Sequence, residues 1–395
     1  MRSFLICAVF LSAQTLFAQD TLRSYIFGHS LIHHEHRVNP VPTEETSVPY
    51  WMYFLSKAAG NQYEVAGKYG FIPQHARDRI WSQWSFDSVP SAWNSYTEPF
   101  EKADFDNIMI TPANFIQWQK PTDNYWQETK SVIAFTSDVF DSIEVRDKSP
   151  DIYLYENWPD MGPRSSSFPP TAAEWKAYNE YLNGDFHSWF LEYHDSLVNA
   201  YPGKHVKMIP VGPAISKVLS TPPFNTISID SLYEDDAPHG RPSIYFLAAL
   251  ATYMAMNHEK APAGYKPPEF IHGHYMVDKT IIDNYAQAVD IIWEELKAFN
   301  FDNGDSRVFI EPLASSIKKQ SQGTEYRVYP NPAHHKLFID GDSEVLEVRI
   351  FTPNGKQVIN SLHKAVDVSG LRSGLYILEV HFDNAKTERL KLLIY

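Results

Sequence analysis

A chain of 395 residues, 44% hydrophobic and 21% charged, has the apolar content to pack more than one core, which excludes a disordered protein. Its formal net charge of −14 argues against nucleic acid or an anionic membrane as partner, since both demand clustered Lys and Arg. The single cysteine, Cys7, lies in an expected leader, so the mature chain should hold neither disulfide nor thiol nucleophile, and its stability should rest on core burial.

Arg2, the apolar run from Phe4 to Phe17 and the small Ala18 before Gln19 predict a signal peptide over residues 1–18. The run is too short to span a bilayer comfortably and has no basic stop-transfer flank. Cys7 is too near the start for a lipoprotein anchor, and no other stretch is long and apolar enough to cross a membrane.

Five short apolar runs read as buried parallel strands: Ser24–Phe27, Tyr63–Ala66, Asn107–Thr111, Ile152–Tyr155 and Val206–Val211. Helical segments separate them, with the clearest at Val48–Ala59, Asn124–Phe140, Ala172–Val198, Ser243–Met256 and Thr280–Phe299. Strands alternating with helices predict an α/β domain over residues 19–312, a parallel sheet covered on both faces, with its ligand site at the carboxyl ends of the strands. Residues 313–325 are polar and read as a linker. From residue 326 to 395, short alternating strands (Tyr326–Tyr329, Val345–Phe351, Gly374–Phe382, Arg389–Tyr395) are split by Pro330-Asn331-Pro332, Pro353-Asn354-Gly355 and Asp383-Asn384. This pattern predicts a small antiparallel β-sandwich with no catalytic constellation.

The tail phrases Tyr329-Pro330-Asn331-Pro332, Ile350 to Lys356, Leu371-Arg372-Ser373-Gly374-Leu375-Tyr376 and Lys391-Leu392-Leu393-Ile394 resemble the type A sorting domain of the type IX secretion system. The resemblance implies a Bacteroidetes-type source, the type IX secretion machinery as partner, and passage through the periplasm to a secreted or cell-surface location.

Candidate chemistry gathers at strand ends. The first strand ends in Phe27-Gly28-His29-Ser30-Leu31, where Gly28 allows a sharp turn that would set Ser30 at the rim. Far downstream, Asp236 precedes His239 by three residues on a loop before an apolar helix. A carboxylate so placed can turn back to hold one imidazole nitrogen while the other acts as base toward a serine. Gly70 follows the second strand and Asn114 the third, so backbone N–H groups of Ser30 and Gly70 and the Asn114 amide could form an oxyanion hole. Each residue also has an ordinary use: serine caps helices, and glycine and asparagine form turns.

Ser, Gly, Asn and His at successive strand ends resemble the SGNH (GDSL-type) hydrolase superfamily, over roughly Thr21 to Phe299. The resemblance implies a flavodoxin-like fold with a five-stranded parallel sheet, Ser30 as nucleophile, Gly70 and Asn114 as oxyanion donors, His239 as base and Asp236 as its orienting acid. The family's Gly-Asp-Ser is Gly28-His29-Ser30 here, and its Gly-x-Asn-Asp is Pro112-Ala113-Asn114-Phe115, which marks a divergent branch.

His33, His34, Glu35 and His36 form a cluster of metal-ligand type, but adjacent ligands rarely converge on one ion, and the serine mechanism needs neither metal nor other cofactor. One or two of these histidines are expected to line the cleft. His29, and Glu156, Asn157 and Trp158 at the end of the fourth strand, are the expected substrate contacts. Trp81, Trp84, Trp93, Trp118, Trp126 and Trp158 fall in loops or loop edges, where aromatic faces can stack on sugar rings. The expected activity is removal of acetyl or other acyl groups from a polysaccharide. Acyl transfer, cleavage of another ester such as sulfate, or non-catalytic glycan binding are the alternatives.

Overall fold

The short apolar runs of the first three hundred residues line up side by side in the computed structural model. It describes residues 21–34, 47–86, 88–144, 149–268, 270–271, 274–275 and 277–310. It then describes 326–329, 331, 333, 335–341, 345–352, 356–372, 374–383 and 387–394. The expected leader at 1–18 and linker at 313–325 lie outside these residues. The chain divides into two units, residues 1–310 and 311–395.

In the first unit β1 (Thr21–Gly28), α1 (Val48–Ala58), β2 (Gln62–Tyr69), α2 (Ile72–Arg77), β3 (Asn107–Ile110), α3 (Val132–Glu144) and β4 (Asp151–Tyr155) follow in turn. Next come α4 (Ala172–Tyr181), α5 (His187–Ala200), β5 (Val206–Ile209), α6 (Val211–Leu219) and α7 (Pro242–Asn257). The short β6 (Phe270–Ile271) and β7 (His274–Tyr275) precede α8 (Lys279–Asp283) and α9 (Tyr285–Ala298). Strands β1 to β5 form one sheet in the order β2-β1-β3-β4-β5, every neighbouring pair parallel.

Alternating side chains feed two cores because a strand's residues point to opposite faces. Tyr25, Phe27, Ile108, Ile110, Ile152 and Leu154 join one core with α3 and α5. Ile26, Met109, Tyr153 and Tyr155 join the other with α1, α6, α7 and α9. Helix α7 is buried on all sides from Pro242 to Met256, as expected of a helix apolar around its whole circumference. It runs through the larger core, and its start fixes the loop before it. From β1 the chain passes to β2 on one side and then crosses to β3 on the other, so the carboxyl end of β1 lies at the switch point of the sheet, the usual place for a ligand in such folds.

Helices depart from expectation where local geometry overrides periodicity. The helix expected over Asn124–Phe140 begins only at Val132, because Asn124 pairs with Ser131 and Trp126 turns the chain at φ 45°, which no helix tolerates. The expected Ala172–Val198 helix carries a π turn at Leu182–Phe186, and Thr280–Phe299 breaks at Asn284. Val211, read as the end of a strand, starts α6.

The second unit has two antiparallel sheets. One runs β11 (Gln357–Ser361), β10 (Val345–Phe351), β13 (Gly374–Phe382), β14 (Thr387–Ile394); the other runs β12 (Ala365–Asp367), β9 (Lys336–Gly341), β8 (Tyr326–Tyr329). Leu337, Ile339 and Val366 from the second sheet meet Val348, Ile350, Leu378 and Leu392 from the first in one core. Among the described residues no helix is long and apolar enough to cross a membrane.

Each unit thus has its own core, and the first should not need the second to fold. A chain ending at Ile310 is expected to stay soluble and to melt cooperatively by circular dichroism at the temperature of the first unit in the full chain. Insoluble or non-cooperative product would show that the two share stabilising contacts.

Candidate active site

Ser30 follows β1 directly, on a turn closed by the Ile32 N–H donating to the His29 carbonyl at 2.9 Å. The glycine before it is required by space rather than by a sharp turn. A Cβ on Gly28 would meet Ile32 at 2.9 Å and Trp84 at 3.2 Å. From the start of α7, the Tyr245 hydroxyl donates to the Ser30 carbonyl at 2.7 Å, tying the turn to the most buried helix of the fold.

The loop before α7 is closed on itself. Tyr233 pairs with Gly240, Glu234 N–H donates to the His239 carbonyl at 2.8 Å, and Arg241 N–H donates to the Leu232 carbonyl at 2.8 Å. Within it Asp235 Oδ1 accepts from the backbone N–H groups of Ala237 at 3.1 Å and His239 at 3.0 Å. Its Oδ2 lies 2.7 Å from His239 Nδ1, and His239 Nε2 lies 3.0 Å from Ser30 Oγ. Nδ1 faces a carboxylate, so it carries the ring proton, and Nε2 is left to accept from the Ser30 hydroxyl. Burial works against the Asp235 charge, but these donors outweigh it and hold the carboxyl down at about 2.

The carboxylate beside the imidazole is therefore Asp235, not Asp236. Asp236 is exposed and faces away: its carbonyl accepts from the N–H groups of Met161 at 2.8 Å and Gly162 at 3.1 Å. Because Glu234 and His239 pair across the loop, the residue after Glu234 is the one brought beside the imidazole.

The two expected oxyanion donors separate. Asn114 is buried at the end of β3, and its Nδ2 donates to Asp160 Oδ1 at 2.7 Å. An amide nitrogen has two hydrogens, so one remains for a ligand. Gly70 takes φ 152°, a backbone that suits glycine, but its N–H already donates to the Gly28 carbonyl at 2.8 Å and is not available. The Ser30 N–H has no hydrogen-bond partner among the described residues. Sequence reasoning missed Asp160 altogether. Burial raises its carboxyl to about 6, against the Asn114 hydrogen bond and the nearby His239, which lower it.

The expected substrate contacts are corrected. His29, Glu156, Asn157 and Trp158 are all buried, none more than 1% exposed. His29 Nε2 donates to the Pro112 carbonyl at 2.9 Å, Asn157 Nδ2 lies 3.3 Å from Thr111 Oγ1, and Glu156 pairs with His187 Nδ1 at 2.7 Å. These residues lie beneath the rim, out of contact with solvent. Trp158 donates from Nε1 to the Pro238 carbonyl at 2.9 Å, so it anchors the His239 loop from below. Among the other tryptophans, Trp93 is buried, while Trp81, Trp118 and Trp126 are exposed.

The histidine cluster divides. His33 is buried against Trp84 and Phe86, His34 lies against His239, and Glu35 and His36 lie outside the described residues. Among the described residues no group of three or more His, Cys, Asp or Glu side chains is arranged to hold a metal ion.

Burial also makes the fold sensitive to acid. It lowers His29, His33 and His194 to about 4 and His75 to about 3. Each stays neutral when folded but takes a proton when unfolded below about 6.5, so the stability they contribute is full above that value and is lost as pH falls through about 4. Asp160, raised to about 6, and the paired Glu156 and His187, both raised, contribute in the opposite sense. The melting temperature of the full chain should fall steadily from pH 6.5 to pH 4. His75→Phe should flatten that slope, since it removes one buried titrating ring; an equal slope in both chains would contradict the assignment.

With this geometry in place, the comparisons add the tail. Residues 327–395 match the secretion system C-terminal sorting domain family. That stretch is a type IX sorting domain, so the secretion machinery is a partner, and the chain is a secreted or cell-surface protein. No curated protein matches the chain. Among solved structures, an engineered protein with a crystal structure at 1.98 Å aligns over 95% of this chain and 93% of its own, at 11% identity and a TM-score of 0.19. So slight a likeness carries no argument.

Proposed function

We propose that the first unit is a serine esterase of SGNH type that removes acyl groups, most simply acetyl, from a polysaccharide outside the cell. One observation carries the reading: a continuous path from Ser30 Oγ through His239 to Asp235, with contacts of 3.0 and 2.7 Å. Such a path makes a serine hydroxyl, a poor nucleophile at neutral pH, capable of attack. The strand order β2-β1-β3-β4-β5, with Ser30 at the switch point, supports the same fold family. The glycan part is an extension from the sorting tail, which delivers the chain to the outside, and from the exposed tryptophans.

In this reading the Ser30 oxygen attacks the ester carbonyl carbon while His239 Nε2 takes its proton, and Asp235 stabilises the imidazolium that forms. Negative charge developing on the carbonyl oxygen is met by the Ser30 N–H and the second hydrogen of the Asn114 amide. Asp160, by accepting the first, holds that amide in place. His239 then returns the proton to the leaving alcohol, and water repeats the sequence to release the acid. Gly70 has no donor role, so the oxyanion site is smaller than the sequence resemblance implies.

The test is release of acetate from acetylated glycans and of p-nitrophenol from p-nitrophenyl acetate. Ser30→Ala should abolish both. Asp235→Asn should lower kcat by roughly ten-thousandfold, as losing the acid of such a unit does, while Asp236→Asn should stay near wild type. The opposite order of these two variants would return the orienting role to Asp236. Asn114→Ala should lower kcat by about a hundredfold to a thousandfold, the usual effect of removing one oxyanion donor. Wild-type turnover in Asn114→Ala would remove Asn114 from the site.

A further inference from the structure

His34 lies face to face with His239. The ring centroids are 3.6 Å apart and the planes differ by 12°. The two residues lie far apart in the sequence, so local sequence does not produce this contact. We propose that His34 is a positioning residue, which sets the plane of the His239 ring so that both of its nitrogens point at their partners. The activity part of this proposal rests on the esterase reading; the geometry does not.

The physical need is specific. Hydrogen bonds at Nδ1 to Asp235 and at Nε2 to Ser30 hold the imidazole at two points. They oppose tilting about the line through those points only weakly, yet tilting spoils the in-plane direction that both bonds require. A flat ring against one face blocks that motion by contact.

His34 is held from both sides for the task. Its backbone follows His33, which pairs with Ser47 and buries its ring beside Phe86, with centroids 5.3 Å apart. Neighbouring side chains on an extended segment point to opposite faces, so anchoring His33 inward turns His34 toward His239. On its far side His34 Nε2 lies 3.5 Å from Glu234 Oε2, with the two side chains only 11% and 9% exposed. Glu234 is the residue whose N–H donates to the His239 carbonyl. The loop that presents the base therefore also carries a carboxylate next to the ring stacked on it.

The experiment compares His34→Ala, His34→Phe and His34→Gln in the full chain, with p-nitrophenyl acetate as substrate. In parallel, the low-field proton resonance of His239 Nδ1–H is observed by NMR. Misplacing a catalytic group by about an ångström can cost on the order of a hundredfold. His34→Ala should therefore lower kcat by roughly tenfold to a hundredfold, leave KM nearly unchanged, and broaden the Nδ1–H resonance. His34→Phe keeps a flat face and should restore both kcat and the resonance, whereas His34→Gln should not. Wild-type kcat with a sharp resonance in His34→Ala would overturn the proposal. So would rescue by Gln but not by Phe, which would make the hydrogen-bonding end of the side chain the working part, or a rise in KM alone, which would make His34 a substrate contact. A wild-type chain inactive on every ester would overturn the esterase reading by itself, because the resonance still reports whether His34 holds the ring.

Discussion

The closed loop ahead of α7 is the constraint on which the site depends. Asp235 spends one carboxylate oxygen on two backbone N–H groups of its own loop and the other on His239 Nδ1. One side chain thus shapes the loop and fixes the tautomer of the ring. A carboxylate saturated in this way stays ionised even partly buried, so it accepts the Nδ1 proton and leaves Nε2 facing the Ser30 hydroxyl. The loop leads into the buried start of α7, and Trp158 anchors it through the Pro238 carbonyl.

The sheet explains why Ser30 can meet this loop from more than two hundred residues away. β1 lies inside the sheet between β2 and β3, and its carboxyl end falls at the point where the connection reverses direction. Beneath that end, His29, Asn157 and the Glu156–His187 pair make a buried polar layer. Buried polar groups are costly unless bonded; here His29, next to Ser30, bonds to the Pro112 carbonyl and Glu156 to His187. His29 is thus turned inward, and it leaves the serine–histidine contact undisturbed.

Much of the fold was legible because strands of a parallel sheet are buried on both faces and read as short continuous apolar runs. Ser30 and Asn114 stood out as polar residues past such runs, and His239 as one on a loop before an apolar helix, and the structure brings Ser30 and His239 together. The carboxylate beside the imidazole did not stand out: Asp235 and Asp236 are adjacent, and only the pairing of Glu234 with His239 across the loop decides which one turns inward. Glu156, Asn157 and Trp158 were placed correctly at a strand end but assigned the wrong direction, since position along a strand does not say whether a side chain faces floor or opening. Asp160 follows Trp158 by two residues and carried no spacing signal. The false helix start at Asn124 arose because apolar periodicity continued through a turn that only the Trp126 backbone reveals.

The most direct test of the central claim, that Ser30 is activated by His239, is covalent labelling. A fluorophosphonate reacts with a serine hydroxyl only when a neighbouring base removes its proton. Incubation of the full chain, followed by intact mass and peptide mapping, should find a single adduct on Ser30. The adduct should vanish in Ser30→Ala and His239→Ala and form far more slowly in Asp235→Asn. An unlabelled wild-type chain, or equal labelling in His239→Ala, would contradict the account.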